Sequence, residues 1–548
     1  MRYTLYLCSD SVDELDTCLK DEKLASEDEY ESFKEYNGDL YFSLDLEGDL
    51  SFEAKAFVQK NKNTMPDWLV VLSDYLDVEK DDFTNQYNSA LISIKVNARI
   101  FVLSFGYGYH ALDQTKLVSD FGLKTCLNAL NDEEIKSIDT RTIDLLARQE
   151  RIRLASSSEL EDFGIDVNQD WLRGIEGRPG DIEGEPIIEG VKTVAGRNSL
   201  RLNTEWSLDE IYNHLDEVLQ AYNSDRYQDN FDFIDNFEKL DPDSDLTDTL
   251  ETKLKEIIKE GETQKLGLAH PYIPPWGKIS KYKILQGRKF NREFVELITD
   301  EVFKFVNENK EHDEFEFDLS KIKIHPLNSS GDKLKSSFSK PLKDYLLAEV
   351  DHQNKKYILS DSAWFSVNDD YLQTIENKLS QVQDVTDSLN LIDMKDGEAE
   401  EDYNERTINQ HSDWINLDGD LYYYDGPHEK VEVCDLLTPN QEFICVKKMN
   451  SSASLSHLFS QGSVSARLLS ASSDYLKDIN QKISNHGGNF CINRNSVGES
   501  MIVYALATEK ENEIHKELFF FSKLNAVTHI ELIESARMEA AFAKIEYK

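Results

Sequence analysis

The stretch that most narrows the choice of fold is residues 89–105. Ser89-Ala90-Leu91-Ile92-Ser93-Ile94-Lys95-Val96 and Arg99-Ile100-Phe101-Val102-Leu103-Ser104-Phe105 are β-branched and apolar with a period near two, on either side of a turn at Asn97-Ala98. That period sends successive side chains to opposite faces, so the pair is expected to be a β-hairpin in a sheet with one buried face. Residues 2–8, 40–44 and 50–54 repeat the pattern and predict further strands. Gly106-Tyr107-Gly108-Tyr109-His110 closes the second strand of the hairpin, and a helix is expected over 117–130.

Elsewhere the spacing changes. Leu208, Ile211, Tyr212, Leu215, Val218 and Leu219 recur at three and four, the mark of amphipathic helix, and Pro66 stands in the first turn of an expected helix over 66–72. Gly and Pro gather in 174–190 and 267–277, which reads as boundaries or loops. The C-terminal third predicts a helix near Glu400-Glu401, strands over 420–424, 430–437 and 442–448, a helix over 454–469 and a strand over 501–507. The expected class is therefore α/β (α+β overall). It has an N-terminal mixed α+β domain over 1–190, a helical middle with a basic loop over 191–385, and an αβββαβ unit over 386–548.

Lys and Arg number 60 against 104 Asp and Glu in 548 residues, a formal charge of −44. Such a field repels phosphate at long range and excludes a general nucleic-acid coat, so any nucleic-acid contact needs a local basic surface, a metal or a partner. Apolar residues at 40 % and aromatics at 10 % are enough for cores and argue against disorder throughout. No run reaches the roughly 18 apolar residues of a membrane span, and the start, MRYTLYLCSDSVDEL, matches neither a signal nor a transit peptide. The six cysteines are scattered without a C-x-x-C pair, which predicts free thiols in a reducing cytoplasm.

The C-terminal unit offers the most chemistry. Asp435 ends one expected strand and Lys447 lies on the next, so a short turn brings an anion and a cation to one sheet edge. Asp435 with Glu400 or Glu401 from the preceding helix is expected to hold Mg²⁺, which polarises a phosphodiester, while Lys447 offsets charge on phosphorus. Lys448, Ser451, Ser452, His457 and Gln461 follow at and beyond a helix N-terminus and predict phosphate and nucleic-acid contacts, with N-capping by Ser454 as the plainer use of the serines.

Residues 264–291 invert the charge of the chain. Lys265, Lys278, Lys281, Lys283, Arg288 and Lys289 occur there without an acid, interleaved with Tyr272, Trp276, Tyr282 and Phe290. Cations on phosphates and aromatics on unpaired bases would grip a strand; a lysine-rich surface loop is the structural alternative. Arg141, Arg148, Arg151 and Arg153 form a second basic run, read as another phosphate contact or a solvated face. Gly106 and Gly108 lack the further glycine of a dinucleotide loop, because Ala111 stands in its place.

The order of residue types in the C-terminal unit resembles the restriction-endonuclease-like superfamily, whose pattern is Asp followed by Asp/Glu-x-Lys. Asp435 matches the first acid and Lys447 the lysine. Cys445 stands where that superfamily has its second acid and is a poor Mg²⁺ ligand, so either Glu432, Glu442 or a helix acid takes the role, or metal catalysis is lost and the fold binds nucleic acid or a partner.

Over most of its length the chain also resembles a sporadically distributed bacterial family of unknown function. The resemblance rests on residues 99–108, Asp120-Phe121-Gly122-Leu123, Phe163-Gly164-Ile165-Asp166, Glu400-x-x-Tyr403-Asn404, Cys434-Asp435-Leu436-Leu437, Val446-Lys447-Lys448 and Leu455-Ser456-His457-Leu458-Phe459-Ser460-Gln461-Gly462. Sporadic distribution implies an anti-phage defence setting by association. The expected function is nucleic-acid binding or cleavage, on DNA before RNA, at a degenerate Mg²⁺ site. The alternative is a non-enzymatic acidic protein that mimics DNA or docks a partner from a defence operon. The expectation includes no membrane contact and leaves room for a homo-oligomer.

Overall fold

The computed structural model describes all residues except 1, 27–37, 47–50, 65–84, 143–148, 166–169, 272–277, 335–337 and 424–429. The expected helix over 66–72, the basic Arg148 and the aromatics Tyr272 and Trp276 lie outside the described residues. The chain divides into two compact units. One comprises Met1–Arg141, Gln149–Ile165 and Trp171–Ile234; the other comprises Thr142–Arg148, Asp166–Asp170 and Asp235–Lys548. The sequence reading placed its first boundary at 190. In the structure the Gly/Pro-rich 174–190 joins two strands of one sheet, because Val194–Gly196 pairs back on Ile175–Gly177.

The first unit is built on a ten-stranded sheet. Its strands are β1 (Arg2–Leu7), β2 (Phe42–Leu44), β3 (Ala54–Thr64), β4 (Asn85–Val96), β5 (Arg99–Phe105), β6 (Leu130–Thr142), β7 (Gln149–Ser158), β8 (Asp170–Pro179), β9 (Val191–Gly196) and β10 (Leu200–Thr204). They lie in the order β2-β3-β4-β5-β1-β10-β9-β8-β6-β7. The expected hairpin is β4–β5, closed at Val96↔Arg99 with Asn97 and Ala98 both at positive φ, as a two-residue turn between right-twisted strands demands.

Both faces of that hairpin are buried, not one. Ile94, Phe101 and Leu103 join a core with helices α1 (Phe121–Ala129) and α2 (Ile211–Asn223). Leu91, Ile100 and Val102 pack on the other side with Tyr6, Cys8 and Cys18. Cys8 and Cys18 form a disulfide with Cα atoms 6.5 Å apart, which corrects the expectation that all six cysteines are free thiols. The strand and the turn that carry them meet over the same core, a juxtaposition their scattered positions in sequence conceal.

The three–four spacing of 208–219 falls on α2 in the first unit, and the second unit contains the helix Asp245–Glu260. Beyond it the expectation of a helical middle gives way to two antiparallel sheets. Leu346–His352, Lys355–Ser360 and Ala363–Val367 are the centre of a five-stranded sheet, joined by turns at Gln353-Asn354 and Asp361-Ser362 with positive φ at all four residues. Lys281–Gln286 and Lys323–Leu327 are the centre of a four-stranded sheet. Residues of both sheets and of the helices Asp245–Glu260 and Thr299–Asn309 share one core.

The C-terminal part of this unit is a mixed sheet. Helix α3 (Glu400–Ile408) precedes β11 (Ile415–Asn416), β12 (Leu436–Leu437) and β13 (Glu442–Lys448); α4 (Ser452–Ala471), β14 (Met501–Thr508), α5 (Phe520–Ser535) and β15 (Glu539–Glu546) follow. β11, β12 and β13 pair antiparallel in succession, and β13, β14 and β15 pair in parallel. Parallel neighbours need a crossover, and α4 and α5 occupy those connections. The order α-β-β-β-α-β is thus present, with one difference. The expected strand over 420–424 and the first part of the next pair with each other as a separate hairpin, Leu421–Tyr423 on Lys430–Glu432. The sheet takes Ile415–Asn416 in their place. Tyr422 explains the departure: it packs edge-on against Tyr475, ring centroids 4.9 Å apart, and holds the hairpin to the helix Ser473–Asn485, which stands between α4 and β14. Among the described residues no helix is long and apolar enough to cross a membrane.

Candidate functional site

Asp435 immediately precedes β12 and is fixed on both sides by backbone. Its N–H donates to Ile444 (3.0 Å) and its carbonyl accepts from Leu417 (2.8 Å). Its carboxylate Oδ2 accepts the Val446 N–H at 2.6 Å, and the residue is 8 % exposed. Around it stand Asp418, just beyond β11, and Glu432, at the end of the small hairpin. One carboxylate oxygen from each of the three lies within 4.8 Å of the others. Asn404 of α3 donates to Asp418 Oδ2 at 3.0 Å, and Gly419 N–H donates to Glu432 Oε1 at 2.8 Å.

The electrostatics follow from this crowding. Burial pushes the Asp435 carboxyl up to about 8, opposed by the Val446 N–H and reinforced by the charges of Glu432, Asp418 and Glu400. Three carboxylates this close cannot all be ionised without a compensating cation or proton. Asn404 is 1 % exposed and its Oδ1 is a buried acceptor with no partner among the described residues. The all-oxygen donor set of the three carboxylates is of the kind that suits a hard divalent cation. Cys445 offers nothing to such an ion, since burial raises its thiol well above the ordinary range.

Glu400 is engaged elsewhere than in the carboxylate group. It opens α3, where an acidic first turn complements the helix dipole. Its Oε2 accepts Lys447 Nζ at 2.6 Å and its Oε1 accepts the Lys448 N–H at 3.2 Å. Lys447 is thereby held at the end of β13 while a third of its side chain stays exposed. Lys448 Nζ lies over the Tyr547 ring, 5.0 Å from its centroid.

The α4 residues divide. Ser451, not Ser454, caps the helix: its Oγ accepts the Ser454 N–H at 3.3 Å. Ser452 is 1 % exposed and its Oγ has no partner among the described residues, so it reaches no solvent-borne ligand in this conformation. His457 is exposed, and Gln461 is half-buried with Nε2 unpartnered.

The basic segment is differently disposed from the sequence expectation. Tyr282 and Phe290 are core residues and cannot stack on bases. Lys281 pairs with Glu293 (3.5 Å), Lys289 with Glu314 (2.7 Å) and Lys265 with Asp351 (3.8 Å). Lys283 is half-buried opposite His325, while Lys278 and Arg288 are exposed and have no ion pair among the described residues.

Sequence reasoning missed Asp418. It lies in the loop after a two-residue strand too short to show a period, and its only local mark is Asn416, whose side chain accepts the Asp418 N–H at 3.0 Å. Compared with known families, residues 3–546 match a family of unknown function (DUF6119). No curated protein and no solved structure matches the chain.

Proposed function

The chain belongs to that family of unknown function, and from this premise we propose that its C-terminal sheet carries a metal-dependent phosphodiesterase site for nucleic acid, DNA before RNA. The observation that carries the reading is the convergence of Asp418, Glu432 and Asp435 on the strand pair that also presents Lys447. The succession α3-β11-β12-β13-α4-β14 supports a restriction-endonuclease-like unit, in which Glu432 and Asp418 supply the carboxylates that Cys445 does not.

In this reading Asp418, Glu432 and Asp435 would hold Mg²⁺. Bound there, the ion would polarise a phosphodiester oxygen and lower the pKa of the attacking water. Burial raises the Asp435 carboxyl, so a cation bound there would compete with its proton. The Val446 N–H fixes the carboxylate that remains. Glu400 limits the rotamers of Lys447 and keeps its ammonium at the end of β13. An arriving phosphate then competes with Glu400 for that ammonium and gains a charge-assisted contact. His457 and Lys448 extend the polar surface along which a strand would lie. Anti-phage defence remains the setting we assign to such an activity.

The test is incubation of supercoiled plasmid, linear duplex and RNA with Mg²⁺ or Mn²⁺. Wild type is compared with Asp435→Ala, Lys447→Ala and Asp418→Asn. Removing a ligand or the phosphate-facing lysine should lower cleavage by about 10²-fold or more. Equal nicking by all four proteins, or none by wild type, rejects the reading. A second reading has its own support in the internally paired lysines of 264–291: an acidic interaction protein that docks a basic partner. Tight binding to a basic protein with no cleavage would favour it.

A further inference from the structure

The arginines of β7 find no use in the C-terminal site, and their placement is distinctive. In the β6–β7 pair Arg153 faces Ser137, Ile152 faces Ile138 and Arg151 faces Asp139. Ile138 and Ile152 belong to the core under α1 and α2, so Ser137, Asp139, Arg151 and Arg153 emerge on the opposite face of the sheet. The same alternation applies two strands away. Ala195 lies opposite Glu176 on one side and Arg201 on the other, while their neighbours Val194, Ile175, Leu200 and Leu202 point into that core. Arg197 and Ser199 come from the turn between β9 and β10.

These side chains line one hollow of about 100 Å³. Four guanidiniums (Arg151, Arg153, Arg197, Arg201) against two carboxylates (Asp139, Glu176) leave a surplus of two positive charges, in a chain whose total is −44. Asp139 binds Arg151 and Arg197 and fixes their forks. Arg153 and Arg201 have no carboxylate partner among the described residues. Ser137 and Ser199 add hydroxyls.

The hollow is also rigid. A Cβ on Gly122 of α1 would overlap the backbone of Ser199 and Arg197, and one on Gly196 would overlap Gly122. Helix and turn therefore touch backbone to backbone, which holds Arg197 and Ser199 in place.

We infer that this hollow binds the dianionic phosphate of a small phosphate monoester. The surplus of two charges matches a monoester at neutral pH. Guanidinium forks fit its oxygens, and hydroxyls complete the shell. The acidity of the chain as a whole disfavours a polyanion. The inference concerns the first unit and does not depend on the phosphodiesterase reading.

The experiment is titration calorimetry of the full-length protein at low salt with inorganic phosphate, AMP, glucose 6-phosphate and adenosine. Saturable binding of the phosphates and none of adenosine is expected. Their ranking identifies what the phosphate is attached to. Arg153→Gln and Arg201→Gln should each weaken binding about 10-fold or more, while Lys192→Gln, outside the hollow, should not. Lowering the pH from 7.5 to 5.5 should weaken binding as the ligand loses its second charge. If either arginine variant melts below wild type without ligand, Arg→Lys at that position replaces it, and partial recovery of affinity is expected. Absence of saturation at millimolar phosphate and AMP, adenosine binding equal to AMP, or unchanged affinity in both arginine variants would overturn the inference.

Discussion

Asp435 makes the candidate site measurable without any substrate. Its carboxyl is raised to about 8 in the folded chain, against about 3.9 when unfolded. Between those values the native state retains a proton that the unfolded chain has released. Stability therefore declines as pH rises through this window, by at most about 1.4 kcal/mol per unit from this group. Asp435→Asn removes the titration while keeping an acceptor for the Val446 N–H, so its melting temperature should vary less between pH 4.5 and 8.5 than that of wild type. The same ionisation is what a cation would satisfy. Mn²⁺ should accordingly raise the wild-type melting temperature more at pH 8 than at pH 5, and have little effect on the variant. Parallel pH profiles for the two proteins would mean that Asp435 does not titrate in this range.

Helix α4 shows how an element is held against the sheet. Gly462 lies in its middle, where glycine normally costs about 1 kcal/mol relative to alanine. Here a Cβ would stand 2.6 Å from Tyr504 Oη and 2.8 Å from Ile502 Cγ2. Tyr504, buried in β14, donates its hydroxyl to the Phe459 carbonyl at 2.8 Å, one turn earlier in the same helix. Overpacking of this kind costs about 1–3 kcal/mol, so the clash outweighs the gain in propensity. Gly462→Ala should lower the urea midpoint with an unchanged slope; a stabilised variant would show that the helix can shift away from β14. At this scale much was legible. The run 442–448 is a short continuous apolar stretch that ends in two lysines, and β13 spans it; the hairpin at Asn97-Ala98 announced itself by period and turn. Strands β11 and β12 are two residues each, below the length at which a period exists, and the sheet rather than local preference fixes them. The site shares that limit. Asp435 and Lys447 were visible because they flank a turn, whereas Asp418 reaches the cluster only through tertiary folding. The aromatics of 282–290 misled because alternation along a strand places every second one in the core.

At the scale of the whole molecule the excess of acid has a sign that salt can test. With 104 acids and 60 bases, at least 44 carboxylates have no basic partner even if every base is paired. Two effects oppose each other as salt rises. Surface pairs such as Lys477–Asp474 and Lys548–Asp393 weaken, but each is worth little because both partners stay in water. Repulsion among the unmatched carboxylates is screened at the same time, as the Debye length falls from about 30 Å at 0.01 M to about 8 Å at 0.15 M. Repulsion is the larger quantity here because it acts across the whole surface, whereas each pair acts alone. The melting temperature should therefore rise as NaCl is increased over that range; a fall would mean that ion-pair networks dominate. The same field governs any encounter with nucleic acid. A basic binder gains affinity as monovalent salt is removed, by counterion release. This chain should not, and its affinity for a duplex should depend on Mg²⁺ or Mn²⁺, because the divalent ion both neutralises the carboxylates at Asp435 and offers the phosphate an attractive partner. Filter binding across a salt series, with and without Mn²⁺, separates the two behaviours. Strong binding in EDTA at low salt would locate the contact in a basic surface and leave the carboxylates without a part in it.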